Sequence, residues 1–336
     1  MMKKILYLGN KLETHGYSPT NIDTLSPLLE AEGYHVKSVS SFKNKPLRLL
    51  HMLSSIITEK DIDIVLIDSY STTNFWYTVL GARLCQFFKL PYILILHGGN
   101  LKQRLAKSSD WILKIFHKAK ANVAPSQFLK DQLQDFHFKN IVCIPNAIDI
   151  TNYNFIKRKC LKPRLLWVRA FNEIYNPEMF LDLVKNLRKK YPGLTACMVG
   201  PEKDGTLKKM KAISASEGLN IQFTGKLSKT EWIKLSKTYD IFINTTNIDN
   251  TPVSLIEAMA LGLPVVSTNV GGIPYLISDK KNGLLVEAND VESMAEAVKV
   301  LLEDHEIAES LSVAGRLKSE DFSWKKVKLK WLDLLS

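Results

Sequence analysis

Two doubly wound α/β domains are the fold that this sequence predicts, and three observations predict it. Strand-length apolar runs alternate with amphipathic helix-length segments through the first half of the chain and again through the second, the pattern of parallel sheets covered by helices. The 336 residues exceed what a single core usually supports. Between the halves, residues 151–163 are polar and basic without a hydrophobic period, which marks an interdomain linker.

In the first half, residues 4–8, 34–40, 62–68 and 91–96 read as strands, separated by helices at 26–32, 46–59 and 74–88. Gly33 stops the first helix. Ligands of such sheets bind at the carboxyl ends of the strands, so the loops 9–16, 68–74 and 97–100 draw notice. The second half repeats the unit, with strands at 165–168, 196–199, 221–224 and 241–244 and helices at 177–190, 207–217 and 229–237. At the C-terminus, Trp324, Val327, Trp331, Leu334 and Leu335 form one helical stripe.

A hydrophobic content of 46% and an aromatic content of 9% suffice for two cores. The longest apolar runs, such as residues 92–96, fall far short of the ~20 residues that cross a bilayer. Met1-Met2-Lys3-Lys4 leads directly into a short strand, so no secretory signal is expected and the location reads as cytoplasmic. Cys85, Cys143, Cys160 and Cys197 are widely spaced, with no histidine at ligand spacing, and no metal site is expected. The net charge of +11 is spread over both halves with no basic tail, which argues against a nucleic-acid partner. One local cluster stands out at residues 101–120. Lys102, Arg104, Lys107, Lys114, Lys118 and Lys120 surround Trp111, Ile112, Ile115 and Phe116, as in a helix that lies on an anionic membrane surface. A plain solvated surface helix has the same pattern, and both readings stay open.

Residues 247–272 carry the chemistry. A polar loop leads into a short helix with Thr251 as expected N-cap and Pro252 at the first helical position. Val253, Ile256, Met259 and Ala260 form its apolar face, and Gly262 stops it. The N–H groups of Val253, Ser254 and Leu255 would carry the positive end of the helix dipole and attract phosphate. Asp249 and Asn250 precede them, and Glu257 follows a turn later, where a carboxylate suits sugar hydroxyls rather than phosphate. A diphosphate site flanked by carboxylates fits a nucleotide-sugar.

This segment resembles the donor-site signature of glycosyltransferase family 4, the retaining glycosyltransferases of the GT-B fold. Glu257 opens Glu-Ala-Met-Ala-Leu-Gly-Leu-Pro-Val-Val, followed by Gly271-Gly272, and Asp249 stands where the family has its first glutamate. The resemblance implies two facing Rossmann-like domains with a cleft between them. They are an acceptor-side domain at 1–155 and a nucleotide-sugar domain at 160–319, with the helix 320–336 packing back on the first. It implies a retaining hexosyltransferase-type enzyme. Such an enzyme moves a sugar from a nucleoside diphosphate to a saccharide or lipid-linked saccharide, in cell-surface polysaccharide synthesis. No cofactor is expected.

The same resemblance assigns residues. Arg169, at the position of the arginine in the family's Gly-Arg-Leu motif, would hold the diphosphate, and His97 with Gly98 and Gly99 would meet the donor sugar. Asp249 would hold sugar hydroxyls and Glu257 the ribose. Gly200, Glu202 and Gly225, at strand ends, would frame the base. Gly9, Asn10, His15 and Gly16 form a loop comparable to the family's acceptor-side glycine loop, and no Gly-x-Gly-x-x-Gly fingerprint follows the first strand. The family's second diphosphate cation is missing, since Ile174 occupies its place; Lys203, in the loop after the next strand, is a candidate substitute, with a plain solvated lysine as the alternative. Two other classes are compatible with the sequence: a nucleotide-sugar 2-epimerase of the same fold, and a non-catalytic membrane-surface protein.

Overall fold

The computed structural model describes residues 2–16, 19–158 and 160–336. The chain divides into two compact units, residues 1–147 with 327–336, and residues 148–326.

Unit 1 runs β1 (Lys4–Leu8), α1 (Asn21–Ala31), β2 (His35–Val39), α2 (Lys45–Thr58), β3 (Ile64–Ser69), α3 (Phe75–Phe87), β4 (Tyr92–Leu96), α4 (Leu101–Ala106), α5 (Asp110–Lys118), β5 (Ala121–Ala124), α6 (Gln127–Gln132) and β6 (Ile141–Cys143). Its strands form one parallel sheet in the order β2-β1-β3-β4-β5-β6. Every residue of β3, β4 and β5 is buried, as expected of strands covered on both faces. In unit 2, β7 (Arg164–Val168), α7 (Pro177–Arg188), β8 (Thr195–Val199), α8 (Thr206–Ser216), β9 (Ile221–Gly225), α9 (Lys229–Ser236) and β10 (Ile241–Asn244) come first. They are followed by α10 (Val253–Ala260), β11 (Val265–Thr268), α11 (Ile273–Leu276), β12 (Leu284–Val286), α12 (Val291–Glu303) and α13 (His305–Ser319); the last helix, α14 (Trp324–Leu335), begins in unit 2 and belongs to unit 1 from Val327 on. This second sheet is also parallel, in the order β12-β11-β10-β7-β8-β9. The strand order reverses beside the first strand of each sheet, between β1 and β3 and between β7 and β10. Those two crevices are where open α/β sheets bind ligands.

Several expectations need correction. Helix α1 begins at Asn21 rather than near residue 26, because the Thr20 N–H donates to the Asp23 carboxylate at 2.9 Å and caps the helix five residues early. Pro27 therefore sits inside the helix, not at its start. Residues 101–120 form two helices, α4 and α5, broken at 107–109. The expected linker at 151–163, of which Lys159 lies outside the described residues, is packed onto unit 2. Tyr153 is 2% exposed and Arg158 7%. The Arg158 guanidinium donates to the carbonyls of Ile156 at 3.2 Å, Leu261 at 2.9 Å, and Ser236 and Tyr239 at 3.3 Å each. At the other end, Val327, Trp331 and Leu335 are buried, Lys328 pairs with Glu32 at 3.0 Å and Lys330 reaches the Cys143 carbonyl. No described helix is long and apolar enough to cross a membrane.

Asp240 is the counter-charge that makes the buried Arg158 tolerable. It lies 3.8 Å from the Arg158 Nε and takes two bonds from Arg164, at 2.6 and 3.0 Å. Burial pulls the Arg158 guanidinium down to about 10, against the opposing pull of Asp240. Removing one partner of a buried pair costs about 3 kcal/mol or more. Asp240→Ala should therefore lower the midpoint of a thermal melt by at least roughly 6 °C; a shift within a degree of the parent would show that Arg158 needs no counter-charge.

Candidate functional site

The crevice between β7 and β10 gathers most of the predicted donor residues. Arg169 follows β7 and Asp249 lies in the loop after β10, and their side chains form an ion pair. The guanidinium also stacks on the Tyr175 ring, 4.8 Å from its centroid. Burial lowers the Arg169 pKa to about 10, which leaves it charged at neutral pH. Its Nε is buried without a hydrogen-bond partner among the described residues. Behind the pair, the Gly271-Gly272 turn presses on the loop. A Cβ added at Gly271 would come within 2.2 Å of the Asp249 carbonyl oxygen, and one at Gly272 within 1.7 Å of that of Asn250. Glycine is required at both positions, and the Gly272 N–H donates to the Asp249 carbonyl at 2.8 Å.

Helix α10 starts three residues past Asn250. Its N-cap is Pro252, not Thr251, and no side chain caps it. The N–H groups of Val253 and Ser254 have no partner among the described residues, while that of Leu255 turns back to the Pro252 carbonyl at 3.1 Å. The Ser254 Oγ is buried and equally unpartnered. A permanent cation, an open helix N-terminus and an orphaned hydroxyl thus converge on one corner, an arrangement suited to a polyanion. One turn on, Glu257 is 5% exposed. Its Oε1 accepts from the Tyr153 hydroxyl at 2.6 Å and from Lys229 at 2.8 Å. Burial, then the Glu257 charge, raise the Tyr153 pKa, so its phenol stays a donor. Oε2 has no partner among the described residues.

The remaining predicted donor residues line neighbouring strand ends. The Gly200 N–H, after β8, donates to the Gly225 carbonyl at 2.9 Å, which joins the ends of β8 and β9. Glu202 is already engaged. Its carboxylate accepts the N–H groups of Lys203, Asp204, Gly205 and Lys208 and so closes the entry to α8. Lys203 and Ile174 are both exposed, and Lys229, also exposed, pairs with Glu257 at 2.8 Å.

The crevice of unit 1 holds a second cluster. Asp68, 1% exposed at the end of β3, accepts from Tyr7 at 2.9 Å, from His97 Nε2 at 2.9 Å and from Tyr70 at 3.2 Å. A carboxylate only accepts, so the His97 Nε2 carries a proton toward Asp68. The Tyr70 ring stacks on His97 with centroids 5.1 Å apart. Burial, then the charge on Asp68, push the Tyr7 pKa well up, which keeps its phenol protonated. Gly9 lies against the same carboxylate, and a Cβ there would approach Asp68 Oδ2 to 2.4 Å. Asn10 is buried and receives the Arg48 guanidinium at 2.7 Å. His15 is exposed, bonded to the Ser41 carbonyl at 2.8 Å, and Gly16 ends that turn. Gly98 and Gly99 follow His97 on the surface.

Sequence reasoning reached Arg169, Asp249, Glu257 and His97 but missed their partners Tyr153, Lys229, Asp68, Tyr7 and Tyr70. Asp68 was visible only as the start of a strand-end loop. Tyr153 lay in the stretch read as linker, and nothing in the sequence marks Lys229.

Comparison with known proteins follows the same division. Residues 153–318 match the model for glycosyl transferases group 1, and residues 5–152 that for glycosyltransferase family 4. A glycosyltransferase of Methanocaldococcus jannaschii is 25% identical over 284 residues, covering 81% of this chain and 74% of that protein. One from Haemophilus influenzae is 30% identical over 198 residues, covering 56% of this chain and 55% of that protein. Among solved structures, the HepE protein of Anabaena in complex with UDP-glucose has a TM-score of 0.78 at 17% identity, over 99% of both chains. Sucrose-phosphate synthase from Thermosynechococcus elongatus has a TM-score of 0.79 at 15% identity, covering 99% of this chain and 98% of that one. With both halves matched and the fold shared throughout, the chain belongs to the group 1 glycosyltransferases of family 4, hexosyltransferase-type enzymes of the GT-B fold.

Proposed function

We propose that this enzyme transfers a hexosyl unit, with retention, from a nucleoside-diphosphate sugar to a saccharide or lipid-linked saccharide acceptor in cell-surface polysaccharide synthesis. One observation carries the reading: Arg169 is held by Asp249 beside the open N-terminus of α10, at the crevice where the second sheet reverses. The UDP-glucose complex of the Anabaena protein supports the donor class.

In this reading the donor diphosphate displaces Asp249 from the guanidinium. The exchange replaces one anion by another, so Arg169 never stands buried and unpaired. Asp249 is then free for hydroxyls of the transferred sugar, and the open Oε2 of Glu257 for those of the ribose. Negative charge grows on the leaving diphosphate as the glycosidic bond breaks. Preorganised donors aimed at that charge are each worth about 3 kcal/mol, and here they are Arg169, the first turn of α10 and the Ser254 hydroxyl. Lys229 is the second cation that the pattern at Ile174 lacks. In unit 1, Asp68 fixes the His97 ring with Nδ1 outward, ready to accept a hydrogen bond from a sugar hydroxyl. The arrangement uses side-chain and helix charge in place of a divalent metal.

Three outcomes test these roles. Arg169→Ala should lower kcat by roughly 100-fold while nucleoside-diphosphate binding in calorimetry weakens less; loss confined to affinity would remove its leaving-group role. Asp68→Asn should leave the melt and donor affinity near those of the parent yet reduce kcat by about tenfold or more, by releasing the His97 tautomer. Transfer activity should survive excess EDTA, and strict dependence on an added divalent ion would defeat the metal-free scheme.

A further inference from the structure

The outer surface of unit 1 carries a feature that sugar transfer does not use. Strand order and right-handed crossovers put α2, α3 and α5 on the same face of the first sheet, with α3 in the middle packed against both neighbours. Helix α3 is apolar on most of its circumference, with Arg83 and Gln86 as its polar exceptions away from the core. Its inner side supplies Phe75, Tyr77, Val79, Ala82 and Cys85 to the core. Its outer side presents Trp76, Leu80 and Phe87 at helical spacing, 44%, 38% and 77% exposed. On α2, Leu50 and Ile57 continue the band, 61% and 60% exposed, and on α5 Trp111 is 46% exposed. The apolar strip along α3 spans about 16 Å.

Charge on these helices is predominantly basic. Helices α2 and α3 contain no aspartate or glutamate, and α5 has only Asp110. Arg83, Lys114 and Lys118 lie on the outward sides of α3 and α5, and none has a salt-bridge partner among the described residues. A water-facing helix of a soluble domain ordinarily carries the opposite pattern, with mixed charge outward. Exposed tryptophan and phenylalanine among unpaired cations match the interface of an anionic bilayer, where the rings enter the headgroup boundary and the cations meet lipid phosphates.

We propose that the α2–α3–α5 face docks unit 1 onto an anionic membrane surface, with Trp76 and Phe87 as the apolar anchors. The sequence pattern at 101–120 is then the margin of the docking face, and its centre is α3. This proposal does not depend on the identity of the donor or on catalysis.

Flotation of the full chain with phosphatidylcholine vesicles, with and without about one third phosphatidylglycerol, tests it. Binding should require the anionic lipid, weaken in high salt, and fall by about tenfold or more in the double variant Trp76→Gln, Phe87→Gln and in Lys114→Glu, Lys118→Glu. Both pairs are exposed, so thermal melts and nucleoside-diphosphate binding should match the parent. Equal flotation of parent and variants would overturn the proposal, as would an absence of flotation by the parent. Sedimentation without lipid covers the remaining occupant: a dimer abolished by the double variant would assign the face to a second copy of the chain instead.

Discussion

The ion pair between Arg169 and Asp249 is the constraint on which the second unit's chemistry rests. An arginine buried at a strand end needs an anion, and a loop carboxylate supplies one from the adjacent strand. That carboxylate can approach only because Gly271 and Gly272 leave room for the backbone of Asp249 and Asn250. The turn in turn fixes where α10 begins, and with it the direction in which the N–H groups of Val253 and Ser254 point. Sequence, backbone contact and electrostatics therefore converge on one place. A bulkier residue at Gly272 would shift the loop, the pair and the helix entry together.

The two crevices solve related problems differently. Asp68 is wholly enclosed and accepts from three donors, Tyr7, Tyr70 and His97, so nothing about its surroundings invites exchange. Such a satisfied network holds its members in one geometry. Asp249 has a single strong partner and partial exposure at 16%, and the donors around it, Arg169 Nε and Ser254 Oγ, remain unsatisfied. The first arrangement orients a ring; the second waits for a ligand. Glu257 lies between these extremes, one oxygen committed to Tyr153 and Lys229 and the other open.

Most strands could be read in the sequence because both sheets are parallel and covered, so that each central strand appears as an unbroken apolar run between turn residues. Helix ends were less legible. The start of α1 depended on Thr20 and Asp23 capping each other, five residues before the start read at residue 26. Residues 151–158 looked like linker because Arg158 reads as solvated until four carbonyls and Asp240 are found around it. At the sites, motif spacing exposed Asp249 and Glu257, whereas the partner of each lies 80 or 104 residues away. No local pattern records such pairings; they follow from strand order.

Strand order also decides what the surface of unit 1 exposes. Because β3, β4 and β5 succeed one another on the same side of β1, their crossover helices form one continuous layer, and the middle helix gains two packed flanks. A helix in that position needs an apolar inner face and apolar sides, but the fold asks nothing of its outer face. Trp76, Leu80 and Phe87 are therefore not a by-product of core packing. Exposed large apolar groups at helical spacing are costly to solubility unless something covers them, and the missing acids on α2 and α3 narrow what that cover can be. A protein partner of ordinary surface would bring lysines and arginines of its own against this face. A sheet of lipid phosphates brings only negative charge, and it meets three parallel helices as a plane meets a plane.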